Sequence, residues 1–413
     1  MKQIIIFFLL MVCTAYSQKA YEKEPPYNIK TISFVKNGIN VVPVFKLGES
    51  FELQFDDLYG NEEDYYYTLT QYNYDWTPTQ LSKNEYLNGM DNQRIITYEN
   101  SFNALQIYSH YKQVFPNRFN QITKSGNYLI SIYDDSANLI FSRKFIIYEE
   151  NVAVGMQIRR PRDFESINEK QNIELVINYG DRILQNPMQN VKILIFKNGN
   201  LKDNVVNIKP QYTLGSELIY RYNSETQFWA GNEYYSIDTK LIRATNNTVA
   251  RVTSGELYNS HLYTNAPRGA FPYTYFPDIN GNFFVTNLNS ERPEIEADYS
   301  WVYFTLDANS IKPDEDIYVC GMFNNHKLSD ENKMSYNEKS GLYELSLLLK
   351  QGIINYEYVV ANKNKKINYK DALDGNFYLA ENDYHVLVYY RGNTDRYDKI
   401  IAYTKNNSEN IIN

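Results

Sequence analysis

The sequence predicts an all-β protein made of tandem β-sandwich domains. Short runs in which apolar and polar residues alternate recur along the chain, and they are rich in tyrosine, isoleucine and valine. Such runs are typical of half-buried strands. Turn dipeptides such as Asn37-Gly38 and Asn198-Gly199 separate them, and convincing helical periodicity is rare. Many short strands at this spacing indicate β-sandwiches.

The first residues have the pattern of an export signal. Lys2 supplies a positive charge, the run IIIFFLLMV is apolar but too short to span a bilayer, and small residues precede a cleavage site between Ser17 and Gln18. A membrane anchor is the alternative, but no stop-transfer pattern follows. Lipid attachment at Cys13 would need a small residue where Val12 stands. Because no later segment approaches roughly eighteen apolar residues, we predict an exported mature chain without an integral membrane segment.

Charge and cysteine content exclude several classes of protein. The formal net charge of −8 argues against a nucleic-acid partner. After cleavage Cys320 is the single cysteine, so an intrachain disulfide is excluded and the fold must depend on its hydrophobic cores. The chain has 40 tyrosines but only 3 tryptophans. Two explanations remain open, a compositional bias combined with sheet propensity, or a tyrosine-rich binding surface.

Turn and boundary patterns divide the mature chain into three domains. We place an immunoglobulin-like β-sandwich at residues 25–150, a second β-sandwich at 151–290 and an early-set-like β-sandwich at 291–413, after a signal peptide at 1–17. Each domain is predicted from strand runs bounded by Gly, Asn, Asp or Ser.

The most informative stretch lies in the first domain. Residues 65–76 (YYYTLTQYNYDW) alternate with period two and predict a strand. Residues 82–85 form a capping box, which predicts a short helical turn that ends at Asn88-Gly89. Residues 107–115 fit both helical and strand spacing. Because Pro116 follows and aromatic residues dominate, we interpret them as a strand.

A proline-rich loop is predicted at residues 267–277 (PRGAFPYTYFP), because its three prolines exclude regular structure. Its aromatic residues are Phe271, Tyr273, Tyr275 and Phe276. The sequence predicts no strand or helix face against which these residues would pack, so they either pack between domains or contact a partner. The residues that follow, DINGN, suggest a calcium loop, but an EF-hand would need glycine where Phe283 stands. An Asn280-Gly281 hairpin turn is the better interpretation.

Short sequence motifs occur through nearly the whole mature chain and resemble those of the type IX secretion system plug protein family of Bacteroidota. They are YYYTLTQYNYDW, SFNALQIYSHY, FPN, SGNYLISIYDD, GNEYYSIDT, FPDINGNFFV, ADYSWVYFTL, YVCGMFNN, YELSLLLKQGIINYEYV and AENDYHVLVYYRG. The first domain also resembles immunoglobulin-like domains of Bacteroidota sensor proteins. The third resembles early-set sandwiches that bind glucans through exposed tryptophans. His326 stands where a tryptophan is expected, and Trp301 lies inside a strand run.

Catalytic motifs are missing from the sequence, so we predict a protein that is not an enzyme and needs no cofactor or metal. His110, His261, His326 and His385 are scattered, without a cysteine or carboxylate at ligand spacing. Nucleophile-elbow, zinc-protease, phosphate-loop and CxxC patterns do not occur. Two distant carboxylates could still meet in a glycosidase cleft.

We predict a monomer, and the resemblance implies a periplasmic protein on the inner side of the outer membrane. It would bind the periplasmic opening of the outer-membrane β-barrel translocon and close it when no cargo is present. The aromatic residues of the proline-rich loop are the candidate contacts. The alternative is an exported array of carbohydrate-binding sandwiches. Asp135-Ser136-Ala137 matches a short acceptor motif for O-glycosylation in exported Bacteroidota proteins, with Ser136 as the acceptor.

Overall fold

The computed structural model describes residues 19–308, 311–409 and 411. The expected cleavage site at Ser17 and Gln18, and Cys13, lie outside these residues. The described chain is almost entirely β-structure arranged in three β-sandwiches, which confirms the predicted fold class. Within the same residues, no helix has the length and apolar character needed to cross a membrane.

The elements of the first sandwich are β1 (Ile29–Lys36), β2 (Ile39–Asn40), β3 (Val44–Lys46), β4 (Phe51–Asp57), β5 (Tyr66–Tyr72), α1 (Lys83–Tyr86), β6 (Leu87–Gly89), β7 (Gln93–Arg94), β8 (Thr97–Asn100), β9 (Ser109–Phe115), β10 (Asn120–Ile122), β11 (Gly126–Tyr133) and β12 (Leu139–Tyr148). Two five-stranded sheets, with the orders β2-β1-β4-β9-β8 and β3-β12-β11-β5-β7, pack on each other beside the two-stranded pair β10-β6. Aromatic rings fill the space between the sheets, and Phe45 stacks on Phe51 with ring centroids 3.9 Å apart.

Local sequence patterns in this sandwich are mostly confirmed. In β5, Tyr67, Leu69 and Gln71 point into the core while their neighbours are half-buried. The ambiguous residues near 107–115 form strand β9 rather than a helix. The Ser82 backbone amide donates to the Glu85 carboxylate, as the capping box predicts. The helix nevertheless ends at Tyr86 and not at Asn88-Gly89, because residues 87–89 pair with β10.

The second sandwich begins directly after the first core. Its first elements are β13 (Ala153–Arg159), β14 (Lys170–Asn178), α2 (Pro187–Asn190), β15 (Val191–Lys197), β16 (Asn200–Val206), β17 (Tyr212–Leu214), β18 (Glu217–Tyr220) and β19 (Gln227–Trp229). One sheet has the order β13-β14-β18-β17, with β19 also paired to β14. The turn between β15 and β16 is Asn198-Gly199, where both residues have positive φ, as the dipeptide predicts.

The chain then builds a complete third sandwich. Its elements are β20 (Tyr235–Asp238), β21 (Val249–Ser254), β22 (Tyr258–Leu262), β23 (Phe283–Val285), α3 (Pro293–Glu296), β24 (Tyr299–Leu306), β25 (Glu315–Cys320), the 3-10 helix η1 (Met322–Asn324), β26 (Ser335–Asn337), β27 (Leu342–Lys350) and β28 (Gly352–Asn362). One sheet has the order β20-β28-β23, with β25 also on β28, and the other has the order β21-β22-β24-β27-β26.

The last two strands, β29 (Asp383–Tyr390) and β30 (Lys399–Asn407), return to the second sandwich. They complete its other sheet in the order β16-β15-β29-β30, with Val191 opposite Tyr390 and Lys197 opposite Tyr384. The packing therefore differs from the division expected at residue 290. The third sandwich is inserted between β19 and β29 and has a core of its own. Since β15 pairs with β29, the second sandwich is completed only after the chain has formed the third.

Apolar contacts also join the sandwiches to one another. Leu194, Leu387 and Tyr389 of the second sandwich pack against Ile146 of the first. Tyr108 of the first packs edge-on against Tyr299 of the third, with ring centroids 5.5 Å apart. The three units consequently form one body with buried junctions.

A buried ion pair crosses the junction between the first and third sandwiches. Lys350 Nζ lies 2.7 Å from an Asp56 carboxylate oxygen, and both side chains are almost fully buried. Tyr299 Oη donates to the same carboxylate at 2.6 Å, and His110 Nδ1 lies 2.7 Å from its other oxygen. Lys350 also lies over the Tyr108 ring, 4.1 Å from the centroid. We call these five residues the junction cluster.

Candidate functional site

The proline-rich loop at residues 267–277 is held at its start by the third sandwich and its neighbours. Arg268 binds Asp374 at 3.1 Å and donates to the Glu233 carbonyl at 2.6 Å. Gly269 approaches the backbone of Gly375 so closely that a Cβ would lie 2.9 Å from its nitrogen. A side chain at this glycine would push the two segments apart, so the loop is fixed against residues 373–375.

The middle of the loop is fixed by Tyr273. Its hydroxyl donates to the carboxylate of Glu233, and its ring lies 5.7 Å from that of Phe377. Glu233 is buried, and burial raises the pKa of its carboxyl. The second oxygen of Glu233 has no partner among the described residues. Tyr273 is half-buried and packs against Phe377, and its role as a partner contact stays a prediction.

The other three aromatic side chains of the loop face solvent. Phe271 is 64% exposed, Phe276 is 59% exposed and Tyr275 is 49% exposed. The Tyr275 hydroxyl donates to Glu381 at 3.1 Å, which fixes the ring without burying it. Aromatic residues bury large contact areas at small entropic cost. We call Phe271, Tyr275 and Phe276 the aromatic loop surface.

The Asn280-Gly281 turn predicted after the loop is present, but it does not close a hairpin. Asn280 and Gly281 have φ values of 51° and 78°, as an Asn-Gly turn requires. The Asp278 carboxylate accepts hydrogen bonds from the amides of Tyr234 and Asn280. The strand that follows pairs with β28 and not with the loop, so the turn does not close a hairpin. Among the described residues, no group of three or more His, Cys, Asp or Glu side chains could hold a metal ion.

The four histidines lie far apart. His110 bonds Asp56 in the junction cluster, and His261 stacks on Tyr303 with ring centroids 4.5 Å apart. His385 stacks on Phe196 at 4.7 Å. His326 is buried, although no pattern in the neighbouring sequence predicts its burial.

The tryptophans give little support to a sugar site. Trp76 lies under Lys144 at 4.3 Å, Trp229 lies under Lys170 at 4.5 Å, and Trp301 is half-buried in β24. A sugar-binding face needs an open aromatic platform, and these rings do not provide one.

Ser136 lies at the tip of the β11–β12 hairpin. It is exposed, and its hydroxyl donates to the carboxylate of Asp135 at 3.1 Å. The hairpin places the serine where a modifying enzyme could reach it.

Two half-buried carboxyl groups have strongly raised pKa values. Burial raises the pKa of Asp278 to about 7 and that of Glu357 to about 7. The folded state holds the proton of such a carboxyl group more tightly than the unfolded chain does. For Glu357 this stabilisation is fully present at a pH below the pKa of an unfolded Glu, which is about 4.3. That contribution is lost as the pH rises through about 7.

We expect Glu357→Gln to remove this pH dependence, because glutamine stays neutral. The free energy of unfolding of the variant minus that of the parent protein should increase by about 1–3 kcal/mol when the pH is raised from 5 to 8. Denaturant unfolding at the two pH values measures this. Glu256→Gln, at an exposed position, should show no such difference, and an equal response of both variants would contradict the expectation.

The fold and the loop together define a class, namely a rigid array of β-sandwiches that presents an exposed aromatic loop. Residues 29–149 match the family model described as the type 9 secretion system plug protein 1st domain. The first sandwich therefore matches this domain model over nearly its whole length. The description of the matched domain associates it with protein secretion.

Similarity to a solved structure extends beyond the first sandwich. The crystal structure of a hypothetical protein from Parabacteroides merdae at 2.30 Å resolution is 30% identical, with a TM-score of 0.89. The match covers 94% of this chain and all of that one. The Drosophila OTK extracellular domains 3–5 give 9% identity over 94% of this chain and 98% of theirs, with a TM-score of 0.16, too low to indicate a shared fold. No curated protein matches the sequence.

Proposed function

We propose that this protein is a non-enzymatic periplasmic plug. It binds the periplasmic opening of the outer-membrane translocon barrel of the type IX system and closes it when no cargo is present. The family match over residues 29–149 carries the proposal. The buried junctions between sandwiches support it, because a body that blocks a wide aqueous opening must resist deformation.

The aromatic loop surface is the proposed contact with the barrel. Phe271, Tyr275 and Phe276 are exposed, while Arg268 and Tyr273 anchor the loop on both sides of Phe271. An anchored loop loses little conformational entropy on binding, which favours affinity. Aromatic residues are also enriched in the buried centres of protein interfaces. A standard interface of about 1,200–2,000 Å² would permit tight but reversible binding.

Affinity purification of the tagged chain from its native envelope tests the proposal. We expect the translocon barrel to co-purify in its cargo-free state. Deletion of the gene should leave secretion largely intact but make the envelope permeable to large antibiotics, because an open barrel passes solutes. Re-expression of the intact chain is the control. If no barrel co-purified and permeability did not change, the plug function would be wrong.

We also propose that Ser136 is O-glycosylated in the periplasm. Its place in an exposed hairpin turn supports this, since a transferase could reach the hydroxyl. Intact-mass measurement of periplasmic protein should show a sugar mass that is lost in Ser136→Ala. A mass equal to that of the unmodified chain would remove the proposal.

A further inference from the structure

A cavity of about 500 Å³ lies where the three sandwiches meet. Ligand pockets of proteins have volumes of about 300–1,000 Å³ and occur preferentially between domains. Its apolar wall has contributions from all three sandwiches. These include Phe34, Val41, Leu194, Phe284, Met322 and Leu347. A ligand here would contact all three units at once.

Some charged groups at the cavity are bound by other protein groups and some are not. Glu24 lies 3.5 Å from Lys327 Nζ and 3.9 Å from Arg143. Glu22 accepts from the backbone amide of Lys144 and from the side-chain amide of Asn325. Lys30 is paired with Glu331 at 2.6 Å. The acidic groups of the wall are therefore already engaged by protein groups.

Several lysine amines at the cavity lack such a partner, among them those of Lys144 and Lys202. Lys144 Nζ lies over the Trp76 ring, and Lys202 Nζ donates only to the carbonyls of Asn325 and His326, at 3.1 and 3.4 Å. Among the described residues, neither amine forms an ion pair with a carboxylate. These two cations leave a local excess of positive charge beside an apolar wall.

His326 supplies a second, independent observation. Its side chain is only 6% exposed and lines the cavity, yet neither ring nitrogen has a hydrogen-bond partner among the described residues. Burial and the nearby Lys202 lower the pKa of its imidazole to about 3, so the ring is neutral. A neutral imidazole offers one donor and one acceptor. Unpaired buried polar groups are costly, so this ring is poised to bind a polar group in the cavity.

We propose that the cavity binds an amphiphilic anion, a small molecule with an apolar body and one carboxylate or phosphate. The apolar body would lie against the wall formed by the three sandwiches. The anionic group would be held by Lys144, Lys202 and His326. This inference goes beyond the plug function and does not depend on it.

Calorimetric titration of the purified chain with decanoate, decyl phosphate and decanol tests the proposal. We expect at least one of the two anions to bind and to raise the melting temperature, since a ligand that binds only the folded state stabilises it. Decanol should bind at least tenfold more weakly. Inorganic phosphate alone should also bind weakly, because it lacks the apolar body.

Variants locate the site. Lys202→Gln should weaken binding of the anion at least tenfold, since a hydrogen bond to a charged group is roughly twice as strong as one between neutral groups. Val206→Trp should block the cavity without disturbing a core, because Val206 lines it and is 38% exposed. Lys209→Gln, at an exposed position outside the cavity, is the matched control. The proposal is overturned if neither anion binds, if decanol binds equally well, or if Lys202→Gln and Val206→Trp bind like the control.

Discussion

Replacement of Lys350 by methionine is expected to destabilise the protein by roughly 3–5 kcal/mol. The change would leave Asp56 buried without its cation, and an uncompensated buried charge is costly. Burial alone raises the pKa of Asp56, but Lys350 and His110 outweigh it, so the pKa lies below its usual value. The stabilisation from this carboxylate is therefore present above its unfolded pKa and is lost as the pH falls through the lower, folded pKa.

Thermal unfolding at neutral pH measures the effect, and a fall of several degrees is expected for a chain of this size. Lys312→Met is the matched control, because Lys312 pairs with Asp371 at an exposed position. Exposed ion pairs contribute only about 0–1 kcal/mol. The double variant Asp56→Leu with Lys350→Met should recover part of the loss, since it removes the stranded charge. Equal melting of the Lys350 and Lys312 variants would show that the junction cluster does not hold the sandwiches together.

Simultaneous replacement of Phe271, Tyr275 and Phe276 by serine should abolish co-purification with the translocon barrel while leaving the melting temperature unchanged. The three rings are exposed, so their loss removes little packing. Aromatic hot spots contribute about 2 kcal/mol or more each, so the combined loss should exceed about 100-fold in affinity. Quantitative pull-down with the purified barrel measures this loss.

Two control variants separate contact from packing. Tyr273→Phe removes the hydrogen bond to buried Glu233, so it should lower stability but retain the barrel. Phe102→Ser changes an aromatic residue that is 66% exposed on the first sandwich, and it should affect neither property. If the triple variant melted early, the loop surface would be a packing element. If it melted normally and still bound the barrel, the contact would lie elsewhere.

Features that depend only on neighbours along the chain could be predicted from local sequence patterns. Alternation over residues 65–76 predicted β5 because side chains of a strand point to opposite faces at every second residue. Asn37-Gly38 predicted a hairpin because the turn requires positive φ at both residues, and the structure has 53° and 79° there. Pro116 favoured a strand over a helix at Ser109–Phe115. The all-β class followed from the same local evidence.

Contacts between distant segments could not be predicted in this way, because they depend on how the whole chain packs. The pairing of β15 with β29, which makes the third sandwich an insertion, joins strands that no local pattern links. Asp56 and Lys350 are 294 residues apart, and each alone has the sequence context of an ordinary surface charge. In the proline-rich loop, Tyr273 packs inward and Tyr275 outward because Glu233 and Glu381 lie at different depths. Burial of His326 likewise depends on three sandwiches meeting, since the free energy of burial is set by long-range packing and not by adjacent residues.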